Sequence, residues 1–208
     1  MSPKTRLCLV RHGETDWNTE RRIQGQIDIP LNAKGRTQAV AMARGLADEH
    51  FAAVYCSDLA RARQTAAALS GQAPIADPAL RERHYGVLQS LTLEEARQRQ
   101  PEAHRRYLAR ELDYDYDGGE SLNGFAARAQ AGIGALLRRH AGQTILAVSH
   151  GGVLDVVYRR ASGRGLTTPR DFPVPNAAVN WLETEGEDWR ILVWADQRHL
   201  GALDELPG

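Results

Sequence analysis

The sequence has little cysteine and no excess of charge of either sign. Its 208 residues include two cysteines, and the 26 Lys and Arg residues balance the 26 Asp and Glu residues. A chain without net charge has no long-range field that recruits nucleic acid or an anionic membrane, so any anion site must be a local cluster. Cys8 and Cys56 each stand inside a short apolar run, which fits neither a disulfide framework nor a metal site. We expect both to be buried free thiols.

Long hydrophobic runs are also lacking. The N-terminal segment has only the short apolar run from Leu7 to Val10, which is far less than the hydrophobic region of a signal peptide. No window approaches the roughly 18 apolar residues of a membrane-spanning helix. These absences predict a soluble, cytoplasmic protein that has neither a membrane nor a nucleic acid as its partner.

The sequence does contain short apolar runs that alternate with segments of helical spacing. The runs predict strands at 5–10, 51–57, within 73–80, at 144–149, and twice within 177–196. The helical segments are 33–49, 58–71, two stretches between 90 and 112 that are separated at Pro101, 121–140, and one that begins at 151. Asn32 is expected to cap the first helix, and Ser57 or Asp58 the second, which should end near Gly71.

This alternation predicts an α/β fold. Near-continuous apolar strands between helices are typical of a three-layer sandwich in which a mainly parallel sheet carries helices on both faces. The length suits a single domain over residues 1–208, with a helical cap or lid inserted at about 90–120. The acidic tract 113–117 alternates Asp with Tyr and lacks the pattern of a calcium loop. We expect that tract to be a solvated loop, part of the lid.

Polar side chains follow three of the predicted strands at the point where each strand ends. Arg11 and His12 follow the first strand, Arg61 comes shortly after the second, and His150 follows the strand 144–149. In parallel α/β sheets, ligands bind at the carboxyl ends of the strands. We therefore expect these side chains to meet in one crevice.

The expected crevice has the chemistry of a phosphoryl site. Guanidinium groups and the free N–H groups of a helix that begins near Gly151 bind phosphate oxygens. A neutral imidazole is a nucleophile toward phosphorus, and nearby guanidinium groups should lower the pKa of His12 and keep it neutral. A departing alkoxide also needs a proton. Glu82, in the segment LRERHYG, is the candidate donor, because repulsion from a bound phosphate favours its protonated form.

Several segments of the chain resemble, in order, the sequence blocks of the histidine phosphatase superfamily, which has the phosphoglycerate mutase-like fold. They are LVRHGETDWNTERRIQGQIDIPLNAKGRTQA, SDLARARQTA, LRERHYG and AVSHGGVL, and PNAAVNWLE resembles the closing strand region. The order and spacing of four blocks are more specific than the tripeptide RHG alone. The resemblance covers most of the chain.

The resemblance implies a role for each matching residue. His12 is the residue that becomes phosphohistidine, and Glu82 is the general acid and base. The phosphoryl oxygens are held by Arg11, Arg61 and His150. The phosphate or substrate side is lined by Asn18, Gln24, Gly25 and Gly151. No metal ion or other cofactor is implied, and the expected partner is a small phosphorylated substrate.

Phosphatase and mutase branches of this superfamily start from the same phosphohistidine. The segment ERHYGVLQS resembles the cofactor-dependent phosphoglycerate mutases, but Leu93 stands where those enzymes carry a phosphoglycerate-binding lysine. Gly152 stands where those mutases usually carry asparagine. The mutases also commonly have a C-terminal tail that closes over the site, and we do not expect such a tail after the segment QRHLGALDELPG. Arg105 and Arg106 are candidates to replace the missing cation in part.

We therefore predict a phosphatase that acts on small phosphorylated metabolites. The first alternative is a phosphoglycerate mutase, which would need 2,3-bisphosphoglycerate as a primer, and the second is a non-catalytic phospholigand-binding protein. We expect the protein to be a monomer or a homodimer. Structural roles are expected for the remaining histidines, although His84 is a candidate neighbour of Glu82: His50, His84, His104, His140 and His199.

Overall fold

The centre of the fold is a six-stranded sheet. The computed structural model describes residues 3–69 and 72–203. The strands are β1 Thr5–Arg11, β2 Ala53–Cys56, β3 Ile75–Ala76, β4 Thr144–Ser149, β5 Val179–Glu185 and β6 Asp188–Asp196. They lie in the order β3-β2-β4-β1-β5-β6. The four strands from β3 to β1 are parallel, and β5 and β6 complete the sheet by antiparallel pairing, so the predicted mixed α/β fold is confirmed.

Seven helices connect these strands within the described residues. They are α1 Asp16–Thr19, α2 Ala33–Gly45, α3 Ala60–Ala66, α4 Leu93–Arg99, α5 Pro101–Leu108, α6 Leu122–Arg139 and α7 Gly151–Ser162. Short 3₁₀ turns occupy Pro78–Leu80, Gly86–Leu88 and Arg198–Leu203. Asn32 caps α2 as predicted, since its side chain accepts the N–H of Gly35 at 2.8 Å. The predicted break at Pro101 separates α4 from α5.

Two helices differ from the prediction at their ends. The predicted helix 33–49 ends at Gly45. The next helix begins at Ala60 with Leu59 at its N-cap, so capping by Ser57 or Asp58 was the wrong prediction. The first N–H of that helix is instead bound from outside it, because the Asp28 carboxylate accepts the N–H of Ala60 at 2.6 Å. The same helix ends at Ala66, so the predicted end near Gly71 was wrong; Gly71 itself lies outside the described residues.

Both faces of the sheet are buried, which explains the unbroken apolar strands. Leu7 and Leu9 of β1 pack with α6 and α7 on one face. Cys8 and Val10 pack on the opposite face, against α2 and α3. Successive strand residues point to opposite faces, so a strand covered on both sides needs apolar residues at every position. The two cysteines are buried and free, as predicted.

A third apolar cluster lies outside the sheet and joins α4 and α5 to the loops around them. Ala96 of α4 and Ala103 of α5 pack there with Leu88 and Leu91. Tyr116 belongs to the same cluster, is fully buried, and has its ring 4.7 Å from the Arg83 guanidinium carbon. The prediction of a wholly solvated acidic tract was therefore wrong, because Tyr116 anchors that tract inside the cluster.

The parallel strands set the position of the functional residues. The carboxyl ends of β1, β2 and β4 lie at one edge of the sheet, where Arg11 pairs with Ser149 at the end of the β1–β4 ladder. The antiparallel strand β5 then returns beside β1. None of the helices described in residues 3–69 and 72–203 has the length and apolar character needed to cross a bilayer.

The buried central strands predict a sharp contrast between two leucine substitutions. Leu146 of β4 is fully buried, whereas Leu192 of the edge strand β6 is 39% exposed. Leu146→Ala should lower the free energy of unfolding by about 2–5 kcal/mol because it leaves a cavity, and Leu192→Ala by less than about 1 kcal/mol. Urea denaturation monitored by circular dichroism measures both. Equal losses for the two variants would contradict the assignment of β4 to the core.

Candidate active site

One cleft of about 620 Å³ lies at the carboxyl ends of β1 and β4. It is lined by most of the residues that the sequence singles out: Arg11, His12, Asn18, Gln24, Gly25, Arg61, Glu82 and Gly151. His150 is the exception, since it is fully buried beneath the floor of the cleft. Its ring centroid is nevertheless only 5.1 Å from that of His12, and the two rings are tilted by 59°. The predicted convergence of three strand ends is therefore present.

The His12 ring is held in one orientation and in one protonation form. Its Nδ1 lies 2.7 Å from the carbonyl oxygen of Gly13, and a carbonyl can only accept a hydrogen bond. Nδ1 therefore carries the proton, and the lone pair stays on Nε2. Burial, and then the charges of Arg61 and Arg11, hold the pKa of His12 well below its usual value of 6.5. The ring is neutral at neutral pH and presents a basic Nε2.

His150 has the opposite tautomer. It immediately precedes α7, and the Nε–H of Arg61 donates to its Nδ1 at 3.2 Å. Since Arg Nε–H can only donate, the His150 proton is on Nε2, and this atom has no hydrogen-bond partner among the described residues. Burial, and then the charge of Arg61, lower the pKa of His150 well below its usual value. The ring thus offers a neutral N–H donor beside His12.

Two arginines, the buried Arg61 and the half-buried Arg11, bring positive charge to the same place. The Nη atoms of Arg61 donate to the carbonyls of Gly25 at 2.7 Å and Ile27 at 2.9 Å. Arg11 donates through Nη1 to the carbonyl of Val174, while its Nε is buried and unpaired within the described chain. Burial lowers the pKa of each guanidinium to about 10, so both remain charged at neutral pH. Backbone carbonyls fix these groups without neutralising them.

The Glu82 carboxyl is oriented by two backbone N–H groups, one at the start of α7 and one from the next residue in its own loop. Its Oε2 accepts the N–H of Gly152 at 2.9 Å, and its Oε1 accepts the N–H of Arg83 at 2.8 Å. A Cβ atom at position 152 would lie 2.0 Å from Oε1. A side chain at this position would therefore displace the Glu82 carboxyl from its observed place, so the absence of a side chain at Gly152 allows this close approach.

Asn176 is a site residue that sequence reasoning missed. Its Nδ2 donates to the carbonyl of His12 at 3.0 Å and lies 3.2 Å from Oδ1 of Asn18. It thus joins the loop before β5 to both the His12 turn and the Asn18 side chain. Asn176 lies in the segment PNAAVNWLE, whose resemblance to the family's closing strand was the one signal available.

Three predicted neighbours lie elsewhere. Arg105 and Arg106 do not line the cleft, and both pair with Glu102 on α5 at 2.7–2.8 Å; the suggestion that they replace the mutase lysine was wrong. The His84 ring contacts Gly86 and Gln89 rather than Glu82. Leu93, which stands where the mutases carry their phosphoglycerate-binding lysine, does line the cleft. The remaining histidines are not among the lining residues.

The cleft as a whole is strongly positive. Its lining contains seven arginines, namely Arg11, Arg21, Arg22, Arg61, Arg83, Arg110 and Arg170, but only two carboxylates, Glu82 and Asp155. Asp155 is already paired with Arg110 at 2.8 Å and Arg159 at 2.9 Å. The remaining positive charge, together with an unpaired guanidinium N–H and an imidazole N–H, suits a phosphoryl group.

Comparisons with known proteins agree with this chemistry. Residues 7–197 match the histidine phosphatase superfamily (branch 1). The chain is 38% identical over 214 residues to a metal-independent phosphoserine phosphatase of Arabidopsis thaliana, covering 99% of this chain and 87% of that protein. It is 33% identical over 210 residues to a probable phosphoglycerate mutase of Escherichia fergusonii, covering 96% of this chain and 98% of that protein. The structure of mycobacterial glucosyl-3-phosphoglycerate phosphatase superposes with a TM-score of 0.82 at 32% identity, covering 93% of this chain and 100% of that chain.

The imidazoles of His12 and His150 should both be neutral, and should show opposite tautomers, in ¹⁵N NMR at pH 6.5. A histidine with the ordinary pKa is half protonated there, whereas burial lowers the pKa of His12 and His150, so both stay neutral. We expect His12 to carry its proton on Nδ1 and His150 on Nε2. The variants His12→Asn and His150→Asn assign the resonances. An imidazolium signal, or the same tautomer for both rings, would contradict the geometry.

Proposed function

This chain belongs to the histidine phosphatase superfamily and is a phosphatase of small molecules, and we propose that His12 and Glu82 carry its two proton- and phosphoryl-transfer steps. The observation that carries this proposal is the bond from His12 Nδ1 to the Gly13 carbonyl. That bond leaves the Nε2 lone pair in the cleft, beside two guanidinium groups that remain charged at neutral pH.

In the first step, Nε2 of His12 attacks the phosphorus of the substrate and forms an N–P bond. The bond from phosphorus to the ester oxygen breaks, and protonated Glu82 gives its proton to the departing oxygen, so the alcohol leaves neutral. Arg11, Arg61 and the Nε2–H of His150 stabilise the negative charge on the equatorial oxygens. The Nδ1–H bond to Gly13 also stabilises the positive charge that the imidazole acquires.

In the second step, water replaces the alcohol. The Glu82 carboxylate accepts a proton from a water molecule, whose oxygen attacks the phosphorus as the N–P bond breaks. Inorganic phosphate is released, and His12 and Glu82 return to their starting forms. The charge that other phosphatases neutralise with a metal ion is met here by arginines, and the name of the Arabidopsis relative, metal-independent phosphoserine phosphatase, supports a reaction without a metal.

We also propose that residues 90–120 form a cap that selects the leaving group. Leu93, Tyr107, Leu108 and Arg110 line the cleft from this segment. Ion pairs fasten the segment on two sides: Arg22 to Glu95 at 2.6 Å, and Arg110 to Asp155 at 2.8 Å. Exposed Leu93 and Leu108 offer the leaving group an apolar wall, which favours hydrolysis over the retention of a phosphoglycerate.

The intermediate can be tested by acid and alkali quenching after mixing with a ³²P-labelled phosphomonoester. Phosphohistidine survives alkali and is lost in acid, so the label should follow that pattern. His12→Asn should abolish the label and lower the rate by at least about 10³-fold, because the nucleophile is lost. His50→Asn, at an exposed position outside the cleft, is the matched control. A folded wild-type protein that binds phosphate but takes up no label would indicate a binding protein instead.

Phosphatase and mutase activities can be separated with 3-phosphoglycerate. The protein is supplied with this substrate, with and without catalytic 2,3-bisphosphoglycerate, and both 2-phosphoglycerate and inorganic phosphate are measured. We expect phosphate release and no isomerisation, because Leu93 provides no charge to retain the second acidic group. p-Nitrophenyl phosphate serves as the control for an active preparation. Rapid isomerisation with negligible phosphate release would contradict the phosphatase.

A further inference from the structure

Arg128 lies on α6, away from the cleft lining, and uses all five of its N–H donors. Its Nε donates to Oε1 of Glu120 at 2.7 Å, and one Nη2 hydrogen to Oε2 of Glu120 at 2.8 Å. Nη1 donates to the carbonyls of Ala79 and Arg81, both at 3.0 Å, and Nη2 to the carbonyl of Glu82 at 3.2 Å. A guanidinium has five such donors in a fixed planar fork, so every one has a partner here.

These contacts fall on the segment that carries the proposed proton donor. Residues 81–85 between β3 and the cap belong to no strand or helix, so no ladder of backbone hydrogen bonds fixes them. Three of the four consecutive carbonyls from Ala79 to Glu82 accept from Arg128, and the fourth, that of Leu80, accepts from the Ser149 hydroxyl at 2.8 Å. The Glu82 carbonyl also accepts from Nε2 of Gln26 at 3.0 Å. The position of this backbone therefore depends on side chains, and most of these contacts come from Arg128.

Glu120 fixes the same segment from its other end. Its Oε2 accepts the N–H of His84 at 2.9 Å, and its own N–H donates to the carbonyl of His84 at 2.8 Å. Its carbonyl accepts the Nε–H of Arg83 at 2.9 Å. The bidentate pair of Arg128 and Glu120 thus holds the backbone on both sides of Glu82. The carboxyl of Glu82 itself is not part of this pair and lies at the N-terminus of α7.

We propose that Arg128 is a positioning residue, which sets the distance and angle between the Glu82 carboxyl and the oxygen of the leaving group. This inference rests on the proposed function, in which Glu82 is the proton donor. Displacement of a catalytic group by a fraction of an ångström is enough to slow a proton transfer. Lysine cannot replace the fork, because an ammonium is a compact charge with three donors that cannot reach three carbonyls and a carboxylate.

The test compares substrates whose leaving groups differ in their need for a proton. An alkyl phosphate such as 2-glycerol phosphate releases a strongly basic alkoxide, whereas p-nitrophenyl phosphate releases a phenolate that leaves without protonation. The quantity measured is kcat/KM, which reports the steps up to alcohol release and is independent of the later hydrolysis of phosphohistidine. Arg128→Gln and Arg128→Lys are compared with Arg138→Lys on the same helix, and Glu82→Gln is measured in parallel.

For Arg128→Gln we expect kcat/KM on the alkyl phosphate to fall about 10²-fold and on the aryl phosphate by less than about threefold, since general acid catalysis contributes on that scale. Glu82→Gln should show the same selectivity, and Arg138→Lys should change neither substrate. A merely structural role for Arg128 would lower both substrates equally. Glu120→Gln, which weakens the bidentate pair while keeping its shape, gives the same readout if Arg128→Gln does not fold.

The outcomes separate the inference from the function on which it rests. If Glu82→Gln discriminates between the two substrates and the Arg128 variants do not, the positioning role is overturned and the proposed function stands. If Glu82→Gln itself does not discriminate, the assignment of the proton donor is wrong and the inference falls with it. Selective loss of activity on the alkyl phosphate in Glu82→Gln and in both Arg128 variants supports the positioning role.

Discussion

The structure depends on the burial of positive charge without a carboxylate that neutralises it. Arg61 is 1% exposed, and its donors go to two backbone carbonyls and to an imidazole nitrogen. Burying an ion costs several kcal/mol unless hydrogen bonds and an opposite charge offset the loss of water. Here the hydrogen bonds are present in the protein, and the carboxylates of Glu82 and Asp28 favour the charged form of Arg61 without forming an ion pair with it. A direct contact with an opposite charge is left for a ligand. The same guanidinium selects the tautomer of His150 and helps to keep His12 neutral, so anion binding and nucleophile activation share one cause.

The parallel sheet makes such an arrangement possible. The strands β1, β2 and β4 lie side by side although other segments separate them in the sequence, and their carboxyl ends deliver His12, Arg61 and His150 to one place. Helix α7 starts directly at that edge, so its first N–H groups are available to Glu82. The carboxyl is thereby oriented by backbone rather than by another side chain. A Cβ atom at position 152 would displace the Glu82 carboxyl from this place, so the small residue Gly152 is linked to the observed position of that carboxyl.

Site residues that follow a strand could be predicted from the sequence, whereas contacts between distant loops could not. His12, Arg61 and His150 could be predicted because apolar runs of strand type end just before them or shortly upstream. Asn176 could not, since its link to the His12 carbonyl spans 164 positions and leaves no periodic pattern. Arg105 and Arg106 were misplaced because Glu102, one helical turn before them, already pairs with both. The burial of Tyr116 was not predicted, because the alternating aspartates around it are typical of an exposed loop.

The division between core and cap explains why the chemistry and the substrate choice are separable in this fold. The groups that we propose to bind the phosphoryl group are fixed by hydrogen bonds to the carbonyls of residues 13, 25 and 27 and by the bond between Arg61 and His150, and none of these bonds involves α4 or α5. By contrast, the leaving group is proposed to contact Leu93, Tyr107 and Leu108, which line the cleft from the proposed cap. In the proposed reaction, Glu82 acts on the oxygen that joins the two parts of the substrate, so it lies between the core and the cap. The backbone around it is held by side chains from several parts of the chain, namely Arg128 of α6, Ser149 of β4, Glu120 and Gln26.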